Sequence, residues 1–344
     1  MSDQTLLYQP ALDALATAET VMLTAHVSPD GDAIGGLLAL RHALAQRYPR
    51  LRRIDGAVSG GVPVVFDFIP GATAIRCIET DSDILEKYDV SISVDCGSLE
   101  RLGAAKSRFL EAGCSINIDH HLNNARFARV NIVIPDASAS GEVVADLIDA
   151  MGADFTPEIA SCVYAALVTD TGGFRFANAG GKAYRLAARC IEAGADHEFI
   201  YKQLFENRPR AQMLLQADAL LHAAFDCDDR LCWTCVTQAM FQRAQATEEH
   251  TDGIVDALRN IDTVKAAVVF KETPDGAVRV SLRSDDHALN VADIAARFGG
   301  GGHKMAAGCT LSGSLDAAQS AILPLLRAQL AGLASCGASS ASSL

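Results

Sequence analysis

The sequence predicts an α/β protein: a doubly wound N-terminal domain with a mostly parallel sheet, joined by a helical connector to a smaller α/β C-terminal domain. Three observations carry this. Short apolar runs alternate with helix-period segments through the first half of the chain. Polar residues fall at the ends of those runs, where ligands sit in open parallel sheets. After a stretch that reads almost wholly helical, strand patterns resume.

Taken in order, the strand candidates of the first domain are VMLTAHV (21–27), RIDGAV (53–58), DVSISVD (89–95), CSINID (114–119) and ARVNIVI (128–134). Helical periodicity marks IGGLLALRHALAQRY (34–48) and GEVVADLIDAMG (141–152). ASCVYAALVTDTGGF (160–174) reads as a buried helix ending in a glycine turn, since Val163 and Leu167 stand four apart after Ile159. From about 182 to 226 the pattern is helical, with ENRPR (206–210) as a break. RLCWTCVT, VKAAVVFKE and AVRVSLRS then supply strands, the last alternating Val278, Val280 and Leu282 against Arg279, Ser281 and Arg283. GGGGH (299–303), MAAGCTL and a helix near 315–332 close the unit. The expected boundaries are 1–190 for the first domain, 191–226 for the connector, 227–333 for the second domain, and 334–344 for a small, polar, disordered tail. There is no internal repeat.

A length of 344 residues suits two domains, and 49% hydrophobic with 21% charged residues is ordinary globular composition. No run of 18 or more apolar residues predicts a membrane span, and the N-terminus lacks the basic start and apolar core of a signal peptide. The ten cysteines are scattered, several inside apolar runs, and read as reduced thiols of a cytoplasmic protein. Cys232 and Cys235 have CxxC spacing, but no second pair lies nearby and the surrounding alternation is that of a strand. The net charge is −13 and no Lys/Arg block occurs, which argues against a protein that grips long nucleic acid through its phosphates. Carboxylates gathered around metal ions, and a small substrate held by a few basic residues, fit the acidity better.

Four polar clusters follow the predicted elements: His26, Asp30 and Asp32 in HVSPDGDAIGG; Asp95 in SVDCGSLERLG; Asp119, His120 and His121 in IDHHLNN; and Asp170 in VTDTGGF. Each alone reads equally well as a turn or a helix cap. Together they bring like charges to one sheet edge, which is costly unless a cation compensates. Two cations would organise about six such ligands, and mixed imidazole and carboxylate donors suit Mn²⁺, Fe²⁺, Co²⁺ or Zn²⁺ better than an all-oxygen Mg²⁺ or Ca²⁺ shell. Gly31, Gly35 and Gly36 are expected to let the loop turn tightly at a helix start that can face a phosphate. SPDGDAIGG lacks the final glutamate of an EF-hand, and GDAIGG is no G-x-G-x-x-G.

In their order along the chain, HVSPDGDAIGG, Asp95, the Asp119-His120-His121 triplet and TDTGGFRF resemble the four motifs of the DHH phosphoesterase superfamily. GGGGHKMAAG (299–308) resembles the signature of the DHH-associated C-terminal domain. The resemblance spans roughly residues 15 to 330 and is most similar to the nanoRNase/pAp phosphatase branch. In FANAGG the chain departs from that branch, with Ala179 and Gly180 where relatives usually carry hydroxyl residues.

The resemblance implies a phosphoesterase that hydrolyses short oligoribonucleotides to mononucleotides and pAp to AMP, through a hydroxide bridging two divalent ions. Mn²⁺ is the expected metal, with Co²⁺ or Mg²⁺ as alternatives. His26, Asp30 and Asp95 would hold one ion; Asp32, Asp95, His120 and Asp170 would hold the other, with Asp95 shared. Asp119 would orient a ligand from behind rather than bind metal. His121 would contact the phosphate or help protonate the leaving group, so Asp95, Asp119, His120 and His121 form the expected catalytic set. Arg283, Ser284, Gly300, Gly301, Gly302 and His303 of the second domain would grip the substrate's phosphates, with Arg101 a weaker candidate. If the second domain faces the metals across a cleft, only a few nucleotides fit between. No long nucleic acid and no membrane are expected as partners, and a homodimer is left open. Hydrolysis of cyclic di-AMP or pApA is the close alternative; a pyrophosphatase, a polyphosphatase and a catalytically idle nucleotide-binding protein are the others.

Overall fold

The computed structural model describes residues 3–79, 84–286 and 288–339. The chain divides into two compact units, Met1–Asn207 and Arg208–Leu344.

Among the described residues, the first unit contains six strands: β1 (Thr20–Ala25), β2 (Arg53–Val58), β3 (Ile75–Cys77), β4 (Val90–Val94), β5 (Cys114–Asp119) and β6 (Val130–Val133). Their order is β3-β2-β1-β4-β5-β6 and every pairing is parallel. The α-helices described with them are α1 (Asp3–Thr17), α2 (Gly31–Arg47), α3 (Lys106–Glu111), α4 (Ser140–Met151), α5 (Pro157–Asp170), α6 (Gly181–Glu192) and α7 (His197–Tyr201), the last running into a π-helical turn at Lys202–Glu206. This is the doubly wound α/β class expected from the alternating pattern. The central strands β1 and β4 are buried along nearly their whole length, because layers cover both faces. Val21, Leu23 and Ala25 of β1 join the larger core with α2, α4 and α5, while Met22 turns to the smaller core of Tyr88, Leu102 and Phe109. The three-residue β3 and the N-terminal α1 went unanticipated; three residues carry no readable alternation.

The glycines of GDAIGG do not make a tight turn. Gly31, Gly35 and Gly36 lie inside α2, and their role is close packing. A Cβ added at Gly35 would lie 2.5 Å from Cys162 O and 2.9 Å from Ala166 N on α5. One at Gly36 would lie 2.9 Å from Val94 Cγ1 on β4. Missing side chains let α2 press its backbone onto α5, and that brings their polar ends together.

The second unit has the strand order β11-β12-β10-β9-β8-β7, built from β7 (Ala224–Asp226), β8 (Leu231–Val236), β9 (Ala266–Glu272), β10 (Ala277–Ser284), β11 (Gly301–His303) and β12 (Ala306–Ser312). β8 and β9 pair in parallel, and the other pairings among the described residues are antiparallel. Its helices are α8 (Arg210–Leu221), α9 (Gln238–Ala244), α10 (Ile254–Arg259), α11 (Val291–Ala296) and α12 (Leu315–Ser339). α11 and α12 cover one face through Ile294, Ile322 and Leu326, and α8, α9 and α10 cover part of the other through Leu215, Phe241 and Leu258. The stretch 191–226, read as a connector, is thus divided: α7 belongs to the first unit and α8 to the second. α12 continues to Ser339, into the stretch expected as a disordered tail, and residues 340–344 lie outside the described residues. Among the described residues no helix is long and apolar enough to cross a membrane.

Candidate metal centre

The sheet of the first unit reverses its winding between β1 and β4, and the polar clusters gather at the carboxyl ends of the strands beside that point. His26 follows β1, Asp95 follows β4, and Asp119, the last residue of β5, leads into His120 and His121. Asp30 caps the start of α2, where its Oδ1 accepts the amides of Asp32 and Ala33 at 3.1 and 3.0 Å. Asp32 sits in the first turn of α2 and Asp170 ends α5. Strand ends and helix ends are thus the scaffold of the site.

Asp95 lies at the middle of it. Its Oδ2 is 3.4 Å from His26 Nε2, and its Oδ1 is 3.8 Å from His120 Nε2 and 3.6 Å from His121 Nδ1. His120 Nε2 also lies 3.9 Å from Asp32 Oδ2 and 3.7 Å from Asp170 Oδ2. Among the described residues, three side-chain groups have donor atoms all within 4.8 Å of one another: His26, Asp30 and Asp95; Asp32, His120 and Asp170; and Asp95, His120 and His121. Both imidazoles facing the carboxylates are oriented by their other nitrogen. Nδ1 of His120 faces Ala137 O at 3.1 Å, and Nδ1 of His26 faces Val27 O at 2.8 Å. In the tautomer that donates from Nδ1, the Nε2 lone pair is left for a cation. Arg101 Nη2 lies 3.0 Å from His26 Nδ1, so the structure brings Arg101 to the rim of the cluster.

His121 differs from its neighbour. Its Nδ1 donates to Asp119 Oδ1 at 2.7 Å, and the side chain is 42% exposed. Asp119 is fully buried, and its oxygens also accept the His120 amide at 2.8 Å and Asn124 Nδ2 at 2.5 Å. Asp119 therefore carries the 119–124 turn on its two oxygens.

The electrostatics separate these groups by role. The hydrogen bond to Asp119 pushes the His121 imidazole up to about 9. Burial acts to raise Asp119, but His121 and Asn124 outweigh it and hold the carboxyl below its usual range. Burial also acts to raise Asp95, and the His26 hydrogen bond with the charges of His121 and His26 brings it below its usual range instead. Asp32 is driven well above the usual range by burial first, then by the charges of Asp95, Asp170 and Asp30. Burial likewise raises Asp170 to about 6. Two carboxyls that resist ionisation, beside Asp95 and the Nε2 atoms of His26 and His120, form a donor set that fits divalent cations, because positive charge removes the repulsion.

In the second unit the alternation of β10 sorts the expected phosphate contacts. Arg283 leaves the core side and lines a cavity of about 260 Å³ with Lys271, Ser281 and Asp256, and its Nε lies 3.3 Å from Asp256 Oδ1. Ser284 does not join it: one residue further along the strand, it turns into the core, 1% exposed, with its Oγ donating to Asp286 O at 2.9 Å. The glycine run also divides. Gly300 and Gly302 are glycine because a Cβ would collide with the facing strand, at Gly308 O and Ala306 O respectively. Gly301 has open space beside it, and His303 is exposed at the end of β11. The backbone cost of the run has a packing cause at two of these positions.

Three polar residues of the site escaped the sequence reading. Ser140, first residue of α4, donates its hydroxyl to Asp95 Oδ1 at 2.9 Å. Asn124 holds Asp119, and Asn178 Nδ2 donates to Asp170 Oδ2 at 3.1 Å. Only the second asparagine of IDHHLNN, close to the triplet, offered a signal.

A parallel sheet that collects carboxylates and imidazoles of this kind at its switch point is the architecture of a metal-dependent enzyme that hydrolyses phosphate esters. The DHH family N-terminal domain matches residues 20–167, and the DHHA1 domain matches residues 234–328. Over 314 residues the chain is 33% identical to the bifunctional oligoribonuclease and PAP phosphatase NrnA of Thermus thermophilus, covering 90% of each chain. It is 24% identical to the Bacillus subtilis protein of that name, covering 85% of this chain and 90% of the other. The crystal structure of an exopolyphosphatase-related protein from Bacteroides fragilis superposes with a TM-score of 0.86 at 25% identity, covering 95% of this chain and 96% of that one. The chain belongs to the DHH family and carries the DHHA1 domain C-terminal to its catalytic unit.

Proposed function

We propose that the chain hydrolyses short oligoribonucleotides to mononucleotides and pAp to AMP, using two divalent cations. The observation that carries the proposal is the pair of three-residue groups, His26/Asp30/Asp95 and Asp32/His120/Asp170, with Asp95 close to both imidazoles. His26, Asp30 and Asp95 hold one cation; Asp32, His120 and Asp170 hold the other, with Asp95 shared between them. Bound there, divalent ions supply a water of lowered pKa as nucleophile and neutralise charge on the phosphoryl oxygens. Nitrogen and carboxylate donors together favour Mn²⁺, with Co²⁺ or Mg²⁺ as substitutes.

The chain's own groups do the remainder. Asp119 ties down His121 Nδ1, which leaves Nε2–H as the free donor on a ring that is protonated at neutral pH. That donor binds a phosphate oxygen or passes its proton to the departing ribose oxygen. Arg101, beside His26, adds a fixed positive charge at the rim. Arg283, Gly301 and His303 bind the substrate's further phosphate or sugar groups. Restriction to short substrates agrees with the net charge of −13 and the absence of a basic stripe. A cytoplasmic setting agrees with thiols buried in the core, such as Cys96, Cys162, Cys190 and Cys232.

A second reading, hydrolysis of cyclic di-AMP or pApA, has support in a weaker likeness. The chain is 24% identical to the cyclic-di-AMP phosphodiesterase GdpP of Geobacillus thermodenitrificans and covers 46% of that protein. A substrate panel of dinucleotides, pentanucleotides, pAp, cyclic di-AMP, pyrophosphate and a long single strand, each with Mn²⁺, Mg²⁺ and Co²⁺, tests both. Mononucleotide release from the short RNAs and from pAp with Mn²⁺ is expected. Robust cutting of the long strand, or turnover of pyrophosphate alone, refutes the proposal.

A further inference from the structure

The amino end of α4 touches three carboxylates that arrive from three different elements. Ser140 is fully buried there. Its amide donates to Asp32 Oδ2 at 2.7 Å, and the next amide, that of Gly141, donates to Asp32 Oδ1 at 2.8 Å. The residue preceding α4, Ala139, has no side chain able to cap the helix, so Asp32 of α2 satisfies its free amides instead. The Ser140 hydroxyl donates to Asp95 Oδ1 at 2.9 Å, with Asp119 Oδ1 lying 3.5 Å away. A hydroxyl has one proton, and Asp119 Oδ1 is already served by the His120 amide and His121 Nδ1. The proton therefore goes to Asp95.

Asp95 is the residue in most need of fastening. Its φ of 58° is left-handed, a strained conformation for a residue with a Cβ, which persists only where surrounding bonds over-determine it. Its amide donates to Ile118 O at 2.9 Å, and its carboxylate must point one oxygen at His26 and the other at His120. Engaging one lone pair of Oδ1 stops the carboxylate from rotating away from that double orientation.

We propose that Ser140 is a positioning residue of the metal centre: its hydroxyl locks the Asp95 carboxylate so that each oxygen serves a different cation position, while its amide fixes Asp32. The inference rests on the two-cation reading above. Alanine at this position keeps both amides, so Asp32 stays in place and only Asp95 is loosened.

The test is Mn²⁺ titration calorimetry on metal-free wild-type and Ser140→Ala protein, with kcat and KM measured on pApA at saturating Mn²⁺. Loss of a group that orients a metal ligand weakens metal binding or activity about 10–100-fold, so the Mn²⁺ affinity and kcat of the variant fall by that order. KM stays within about twofold, because the substrate contacts are untouched, and the far-UV circular dichroism of the metal-free protein is unchanged. Ser140→Cys keeps the volume with a weaker donor; it falls between the two and supplies the same readout should the alanine variant not fold. Wild-type Mn²⁺ affinity together with wild-type kcat in Ser140→Ala overturns the inference and leaves the metal centre standing. Wild-type protein that binds no Mn²⁺ overturns both, which tells the two failures apart.

Discussion

Gly35→Ala should damage the enzyme although helix propensity favours it. Alanine in a helix interior is better than glycine by about 1 kcal/mol. Here the new Cβ would lie 2.5 Å from Cys162 O, 2.9 Å from Ala166 N and 3.0 Å from Ala166 Cβ. Ordinary contact begins at 3.4 Å, so α2 and α5 must part by about 0.9 Å (3.4 − 2.5). The obstacle is backbone, which cannot swing aside as a side chain end can. Overpacking costs typically ~1–3 kcal/mol, and a rigid neighbour places this case at or above the upper end. After the propensity gain, a net loss of about 2 kcal/mol remains, which in a unit of this size lowers Tm by roughly 4–8 °C. The functional effect is larger in proportion. Asp32 rides on α2 and Asp170 on α5, so the separation widens the group that includes His120. A misplacement of about 1 Å can cost ~10²-fold in rate. Thermal melting of the metal-free protein and Mn²⁺-dependent turnover of pApA read the two effects separately. A variant that melts higher than wild type and keeps its rate would show that the helices do not meet as closely as described.

Asp95→Ala removes the carboxylate proposed to be shared by the two cation positions and should lower kcat by about 10³-fold or more at saturating Mn²⁺, with the fold retained by circular dichroism; a variant within tenfold of wild type contradicts the sharing. The raised carboxyls of Asp32 and Asp170 set a pH signature. Their folded-state pKa values exceed the unfolded ones, so without metal they take up protons on folding; the Asp170 contribution turns against stability as pH rises through about 6, and that of Asp32, held well above the usual carboxyl range, has the same sign. Cations need the ionised forms, so Mn²⁺ should raise Tm more at pH 8 than at pH 5, and chelation should reverse the gain; an equal rise at both values counts against the site. Asp119→Asn should drop the His121 pKa from about 9 toward ordinary imidazole. The alkaline limb of kcat/KM then moves to lower pH, and an unmoved limb removes His121 from the reaction.

Much of the site was readable because its chemistry is local. A buried parallel strand that ends in Asp or His must release that side chain at the sheet's carboxyl edge, and His26, Asp95 and Asp119 follow from this alone. A mostly parallel first sheet was legible in strands alternating with helices, since parallel neighbours need crossovers, but the parallel pairing of β6 with β5 was not, because no helix stands between them. The face of Ser284 was also written in the alternation of β10, where Arg283 and Ser284 cannot point the same way.

Other features depended on which backbones meet, and no local pattern records that. A glycine that frees a turn and a glycine that admits a neighbouring backbone are the same letter, so Gly31, Gly35 and Gly36 read as freeing a tight turn until α5 is seen lying against the first two and β4 against the third. Gly300 and Gly302 follow the same logic against β12. Ser140 stands 45 residues beyond Asp95 and 108 beyond Asp32, and nothing in SASGE announces that its hydroxyl and amide fall on those carboxylates. Residue type and strand placement mark which groups can hold a charge. Contacts between distant segments decide which way each group points, because orientation is set by partners that only the folded chain brings within reach.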